Sequence, residues 1–157
     1  MIDELAPILT VVAAVGSGLV AGIFFAFSTF VMRALDRLPP AQGIAAMQSI
    51  NVAVINPWFM TVFFGTAVAC LILVVFSLLD WNKAGAGYML SGGALYLIGT
   101  ILVTIVFNVP RNDALAAVDP ESADGARLWA DYLKSWTAWN HVRTAAALAS
   151  AALFTVA

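Results

Sequence analysis

Charge is what this sequence has least of. Asp, Glu, Lys and Arg make up 10% of its 157 residues, 62% are hydrophobic, and mean hydropathy is +0.95. Soluble globular domains carry about 25% charged residues, so a water-soluble domain is excluded and a membrane protein is indicated. Seven Lys plus Arg against nine Asp plus Glu leave no basic surface, which removes nucleic acid as a partner. A single cysteine, Cys70, lies inside an apolar run; it excludes an intramolecular disulfide and reads as a small buried thiol. There is one histidine, His141, no His-x-x-x-His or Glu-x-x-His pair, and one nearby candidate carboxylate, Asp113. That set argues against a zinc or di-metal centre. Strands, Gly-rich phosphate loops and a Ser-His-Asp constellation are also missing.

What is present is length without charge. A spanning helix needs roughly 20 apolar residues, and four stretches qualify, at about 5–32, 55–79, 84–107 and 136–157; the last carries His141 and Arg143 and the others carry no charge. The first is expected to be retained rather than cleaved, because Asp3 and Glu4 stand where a signal peptide is positive. The expectation is an all-α fold: one domain over 1–157, an integral four-helix membrane bundle. The first long loop would carry a short amphipathic helix, and the last helix would begin outside the bilayer.

The connections set the topology. "DWNKAGAGY" at 80–88 is a tight hairpin, and the other two connections are long and lie on the opposite face. Arg33, Arg37, Arg111, Arg127 and Lys134 fall on the long-loop face against Lys83 on the other. The positive-inside rule then places the long loops in the cytoplasm and both termini outside, in a plasma membrane if the cell is bacterial. Pro39 and Pro40 open the loop helix, whose face carries Ile44, Met47 and Asn51; Asn56 is positioned to cap the second span. Pro110 is expected to break the third span. Small residues recur as Ala14, Gly18, Gly22, Ala26 and as Thr61, Gly65, Ala69, seams that let helices approach in lipid and that would also support a homo-oligomer.

The segment "KSWTAWNHVRTAAALAS" at 134–150 is where polarity concentrates. At 100° per residue, Trp129, Trp136, Asn140, Arg143 and Thr144 fall on one face and His141 on what reads as the adjoining one. An arginine inside a membrane costs at least ~2.5 kcal/mol and normally faces the bundle interior with a partner; Asp113 is the candidate. Asn51, Asn56, Asn108, Asn112, Asp113, Trp136, Asn140, His141, Arg143 and Thr144 all belong to the long-loop ends of the spans, which suggests a pocket there. A histidine of ordinary pKa about 6.5 beside a fixed cation and several amides suits proton abstraction next to a carbonyl, with the enolate held electrostatically. Haem on His141 is an alternative by ligand count.

"FFAFSTFVMRAL", "MQSINVAVINP", "FNVPRNDAL" and "WTAWNHVRT", in this order, resemble the anthrone oxygenase-like family of small four-span membrane proteins. The resemblance spans essentially the whole chain and is most specific at Asn108, Pro110, Asn112 and Asp113 and at Trp139, Asn140, His141, Arg143 and Thr144. It implies oxidation of an anthrone-type aromatic to a quinone by O2 without metal or flavin. In that scheme His141 is the base, Arg143 and Asn140 hold the oxyanion, and Trp136 and Trp139 form apolar walls. Asn108, Asn112 and Asp113 orient His141 or close the pocket. The competing reading keeps the pocket without catalysis: a membrane protein that binds a lipid-soluble aromatic or quinone, or serves a larger complex.

Overall fold

The computed structural model describes residues 2–157, with side chains from Leu5 onward. Five helices account for almost all of them. Helix α1 covers residues 2–36: it is α-helical over Ile2–Ala26, widens to a π-type turn over Phe27–Val31, and closes as α-helix over Met32–Asp36. Pro39 is extended and Pro40 opens α2, Pro40–Ala53, because proline's fixed φ and missing N–H fit a first helical turn. Helix α3 is Pro57–Leu79, capped by Asn56, whose Oδ1 accepts from the Phe59 N–H at 3.0 Å. A tight turn follows, with Gly85 at φ 84°, a conformation in which a Cβ would be strained. Helix α4 covers residues 86–116 and contains two wide stretches, Leu95–Leu102 and Thr104–Asn108. Helix α5, Ala123–Thr155, is capped by Ser122 Oγ accepting from the Gly125 N–H at 2.9 Å.

Three stretches among the described residues are long and apolar enough to cross a membrane: Leu5–Asp36, Pro57–Leu79 and Ala86–Ala116. In α5 the run is interrupted by Asn140, His141 and Arg143. The helices form a ring in which α1 packs on α3 and α5, and α4 packs on the same two. Contact between α3 and α4 is concentrated on Ala86–Ala94, weakens along Leu95–Leu102 and fades at Thr104–Asn108. The two helices therefore splay from the hairpin end toward the loop end.

Two apolar clusters result. One fills the bundle around Val20, Phe24, Phe63, Leu73 and Tyr96, with the Tyr96 hydroxyl donating to the Phe63 carbonyl at 3.1 Å. The other caps the loop end, where Ile44 and Met47 of α2 pack with Leu35, Leu115, Trp129 and Trp136. The amphipathic reading of α2 thus holds.

Two sequence expectations need correction. Pro110 does not end the third long helix. It sits in the first turn of the segment Val109–Ala116, directly after a wide turn, and such a register change leaves room for a residue without an N–H. The glycines of the two small-residue seams, Gly18, Gly22 and Gly65, do not mediate packing within the chain, since a Cβ added at any of these would meet nothing within 4 Å, whereas Ala69 is buried and Ala14 packs against the same core. The interior stripe of α1 is Ala13, Ser17, Val20 and Phe24, a spacing of four, three and four that follows the helical period more closely than strict fours.

Candidate functional site

Arg143 is 5% exposed. Burying a guanidinium is unfavourable unless its donors find acceptors, and α5 supplies the first one turn back: Arg143 Nη2 donates to Asn140 Oδ1 at 2.7 Å. Nη1 donates to Thr104 Oγ1 of α4 at 3.2 Å. The ring faces of Phe24 and Trp136 lie 4.1 Å and 5.0 Å from the guanidinium carbon, which adds cation–π attraction. The Nε donor has no acceptor.

Asn140 is itself locked. Its Nδ2 donates to the Phe24 carbonyl and to Ser28 Oγ, both at 2.8 Å, just where α1 widens. Ser28 Oγ also shares a hydrogen bond of 2.9 Å with Thr144 Oγ1, which donates to the Asn140 carbonyl at 2.8 Å. A second polar cluster lies nearer the loops. Asn112 Oδ1 accepts from both the Tyr132 hydroxyl and Trp136 Nε1, each at 2.8 Å, so one amide fixes two aromatic side chains. Burial pushes the Tyr132 phenol above its ordinary value, partly offset by the Asn51 amide and the Arg143 cation; the phenol therefore remains a donor.

Between the two apolar clusters is a cavity of about 280 Å³. Phe24 and Phe27 of α1, Phe59 and Phe63 of α3 and Trp136 of α5 supply much of its apolar wall. Arg143, Thr104, Asn51 and Asn112 supply its polar groups, and Arg143 is the one ionisable residue among the described lining residues. Asn51 is half-buried there, with its amide beside the Tyr132 phenol. The cavity thus sets a buried cation against an aromatic lining.

The polar residues named from the sequence are only partly brought together. Asn51, Asn112, Trp136 and Arg143 line the cavity, with Asn140 directly behind Arg143. Asn108 is buried beside it and donates to the Trp136 carbonyl at 3.3 Å. The expectation that His141 shares this pocket is not met. His141 is exposed and lies with Ser28, Thr29, Thr144 and Leu148 in a separate shallow groove between α1 and α5. The reason is helical arithmetic: two residues of advance turn a side chain by about 200°, so His141 and Arg143 face nearly opposite ways. Thr144 belongs to that groove as well.

Trp139 is not a wall of the cavity. Its ring stacks on Phe107 with centroids 3.5 Å apart. Asp113 is exposed and does not pair with Arg143, whose polar partners are neutral; three residues beyond Pro110, Asp113 projects from the outer side of α4. Among the described residues no three of His, Cys, Asp and Glu come together as a metal-binding group. Phe24, Ser28 and Thr104 were not singled out from the sequence. Their roles arise from neighbours more than thirty positions away, and a carbonyl such as that of Phe24 leaves no trace in residue type.

The polar positions on α4 and α5 also lie inside a family match. The profile described as anthrone oxygenase matches residues 59–153. The chain belongs to the anthrone oxygenase family. The matched region runs from the first turn of α3 almost to the end of α5, so it contains Thr104, Asn112, Trp136, Asn140 and Arg143. The contributions of α1 and α2, including Phe24, Ser28 and Asn51, fall outside the match. No match is found among curated proteins or solved structures.

Proposed function

We propose that the cavity binds a flat aromatic ketone of the anthrone type and promotes its oxidation by O2 to the quinone, with α5 as the fourth membrane span and the long connections in the cytoplasm. The observation that carries this reading is Arg143: a buried cation that lines an aromatic cavity and has neutral polar partners in place of a carboxylate. Such a group lowers the energy of a bound oxyanion far more than it would in water.

In this scheme the ketone oxygen lies against Arg143, backed by Asn140, with Asn51 as a further donor. Loss of a methylene proton leaves an anthranolate whose negative charge rests on that oxygen. The lining residues include no base, so the proton passes to water. The electron-rich ring then reduces O2; a C–O bond forms at the former methylene carbon, and protonation gives a hydroperoxide. Cleavage of the O–O bond with loss of the remaining hydrogen on that carbon releases water and leaves the quinone. One O2 is consumed and one water formed. His141 has no contact with the ligand in this scheme, and Phe27 and Trp136 replace Trp139 as the apolar walls.

One observation favours a second reading, in which the cavity binds an aromatic or quinone without chemistry: no proton-accepting side chain lines it among the described residues. Oxygen uptake by the purified protein with emodin anthrone separates the two, measured against Arg143→Met and the uncatalysed autoxidation. Acceleration that disappears in the variant supports the oxygenase. Saturable binding of emodin without acceleration supports the binding protein.

A further inference from the structure

We propose that the ligand reaches the cavity sideways, from the hydrocarbon of the bilayer, through the gap between α3 and α4 flanked by Phe64, Ile105 and Val109. The inference rests on the reading of the cavity as a site for a flat aromatic molecule and adds the phase from which that molecule is drawn. It makes the substrate class a membrane-dissolved one.

The geometry supplies the opening. Packing of α3 on α4 fades along Thr104–Asn108, the stretch that borders the cavity. Phe64 of α3 and Ile105 of α4 line the cavity and are 52% and 56% exposed, as residues at the rim of an opening are. Val109, one turn farther along α4, does the same. All three are apolar, which suits a lip in contact with acyl chains and is unfavourable against water. Phe64 lies seven residues into α3, roughly 10 Å at 1.5 Å per residue, which is the depth of hydrocarbon rather than of headgroups.

The loop end is the less suitable route. There α2 lies across the bundle, with Ile44 and Met47 fully buried against the cap, and Asn112, Tyr132 and Trp136 are tied together by hydrogen bonds. Ile55 is the exposed lining residue on that side. Beside the apolar lip residues the lining carries several aromatic rings and the polar side chains of Thr104 and Arg143. A flat molecule with one polar oxygen would slide in oxygen first and meet its polar partner at the end of the path.

The test separates a gate from a wall. The protein is placed in phosphatidylcholine nanodiscs, and binding of emodin, a stable quinone, is followed by stopped-flow quenching of tryptophan fluorescence. Ile105→Phe and Val109→Phe narrow the gap between α3 and α4; Ile55→Phe narrows the loop end. A gate residue changes association and dissociation together, so each gap variant should slow both rates in parallel by about tenfold, whereas Ile55→Phe, at a lining position off the route, should not slow the two together. Slowing by Ile55→Phe instead, unchanged rates in the gap variants, or a change in Kd without parallel changes in rate would each overturn the lateral route. Two gap variants are used so that a folding defect in one leaves the other to decide. Absence of saturable quenching in the unaltered protein would instead sink the functional reading, and this inference with it.

Discussion

Arg143 and Asn140 lie one turn apart on α5, and the 2.7 Å bond from Nη2 to Oδ1 ties the buried cation to the carbonyl of Phe24 and the hydroxyl of Ser28 on α1. Through one amide, the charge at the cavity wall is held by a helix more than a hundred residues away in sequence. Asn140→Leu removes all three bonds and leaves the guanidinium short of an acceptor. Removing the acceptor of a buried charged hydrogen bond costs about 1.5–3 kcal/mol, so the variant should melt below the parent protein in a detergent thermal-shift assay. Asn140→Asp keeps the acceptor and supplies a counter-charge. It should fold but lose affinity for an anionic ligand, and a variant that binds emodin as tightly as the parent would contradict the oxyanion role.

At Arg143 the expected losses depend on the shape of the charge. Arg143→Met should remove most of any acceleration of anthrone oxidation, a loss on the order of 10²–10³-fold for a single oxyanion donor. Arg143→Lys keeps the charge but loses the planar fork and should fall between the two. Oxygen-electrode rates corrected for autoxidation read both, and a fully active Met variant would end the assignment.

His141→Ala should retain oxidation within about twofold, because surface positions outside a site contribute little and His141 opens onto the groove beside Ser28 and Thr29. Loss of activity with unchanged emodin binding would restore His141 as a participant in proton transfer.

Asn112 is expected to act on stability before chemistry. Its Oδ1 satisfies both Tyr132 and Trp136, and each orphaned buried donor costs about 1–3 kcal/mol. Asn112→Leu should therefore lower the melting temperature more than Tyr132→Phe, which removes one partner and its donor together. Asn112→Asp, with its acceptors intact, should be the mildest of the three.

A packing prediction concerns the approach of α4 to α5. A Cβ at Gly99 would collide with the Cβ of Ala146, which has no rotamer by which to move away. Gly99→Ala should destabilise by about 1–3 kcal/mol, the usual range for overpacking, whereas Gly18→Ala, with nothing near its Cβ, should be neutral or slightly stabilising. Equal effects in a thermal-shift comparison would refute this packing.

Much of the architecture is legible in the sequence because hydrocarbon imposes simple requirements. Long uncharged runs, the proline pair before α2, Asn56 before Pro57 and the tight turn ending at Gly85 each have a local cause, and each is found in the structure. The face of α5 bearing Trp129, Trp136, Asn140 and Arg143 also follows from a helical period. Its relation to His141 follows from the same period, and the angle of about 200° excludes a shared pocket. The small-residue seams mislead because glycine in an outward-facing stripe and glycine at a contact look alike in sequence. Ser28, Thr104 and the Phe24 carbonyl are illegible for another reason: their function is set by which helices become neighbours around the ring, and residue type alone does not encode that.

The cavity separates two well-packed regions that would otherwise join into one interior. Unfilled interior space lowers stability in proportion to its volume, so a fold that keeps this cavity open is weaker than one that fills it. Substitutions that enlarge Met47 or Phe63 toward the middle would raise heat resistance while closing the site. Under the proposed function, robustness and activity would therefore pull on the same few side chains in opposite directions.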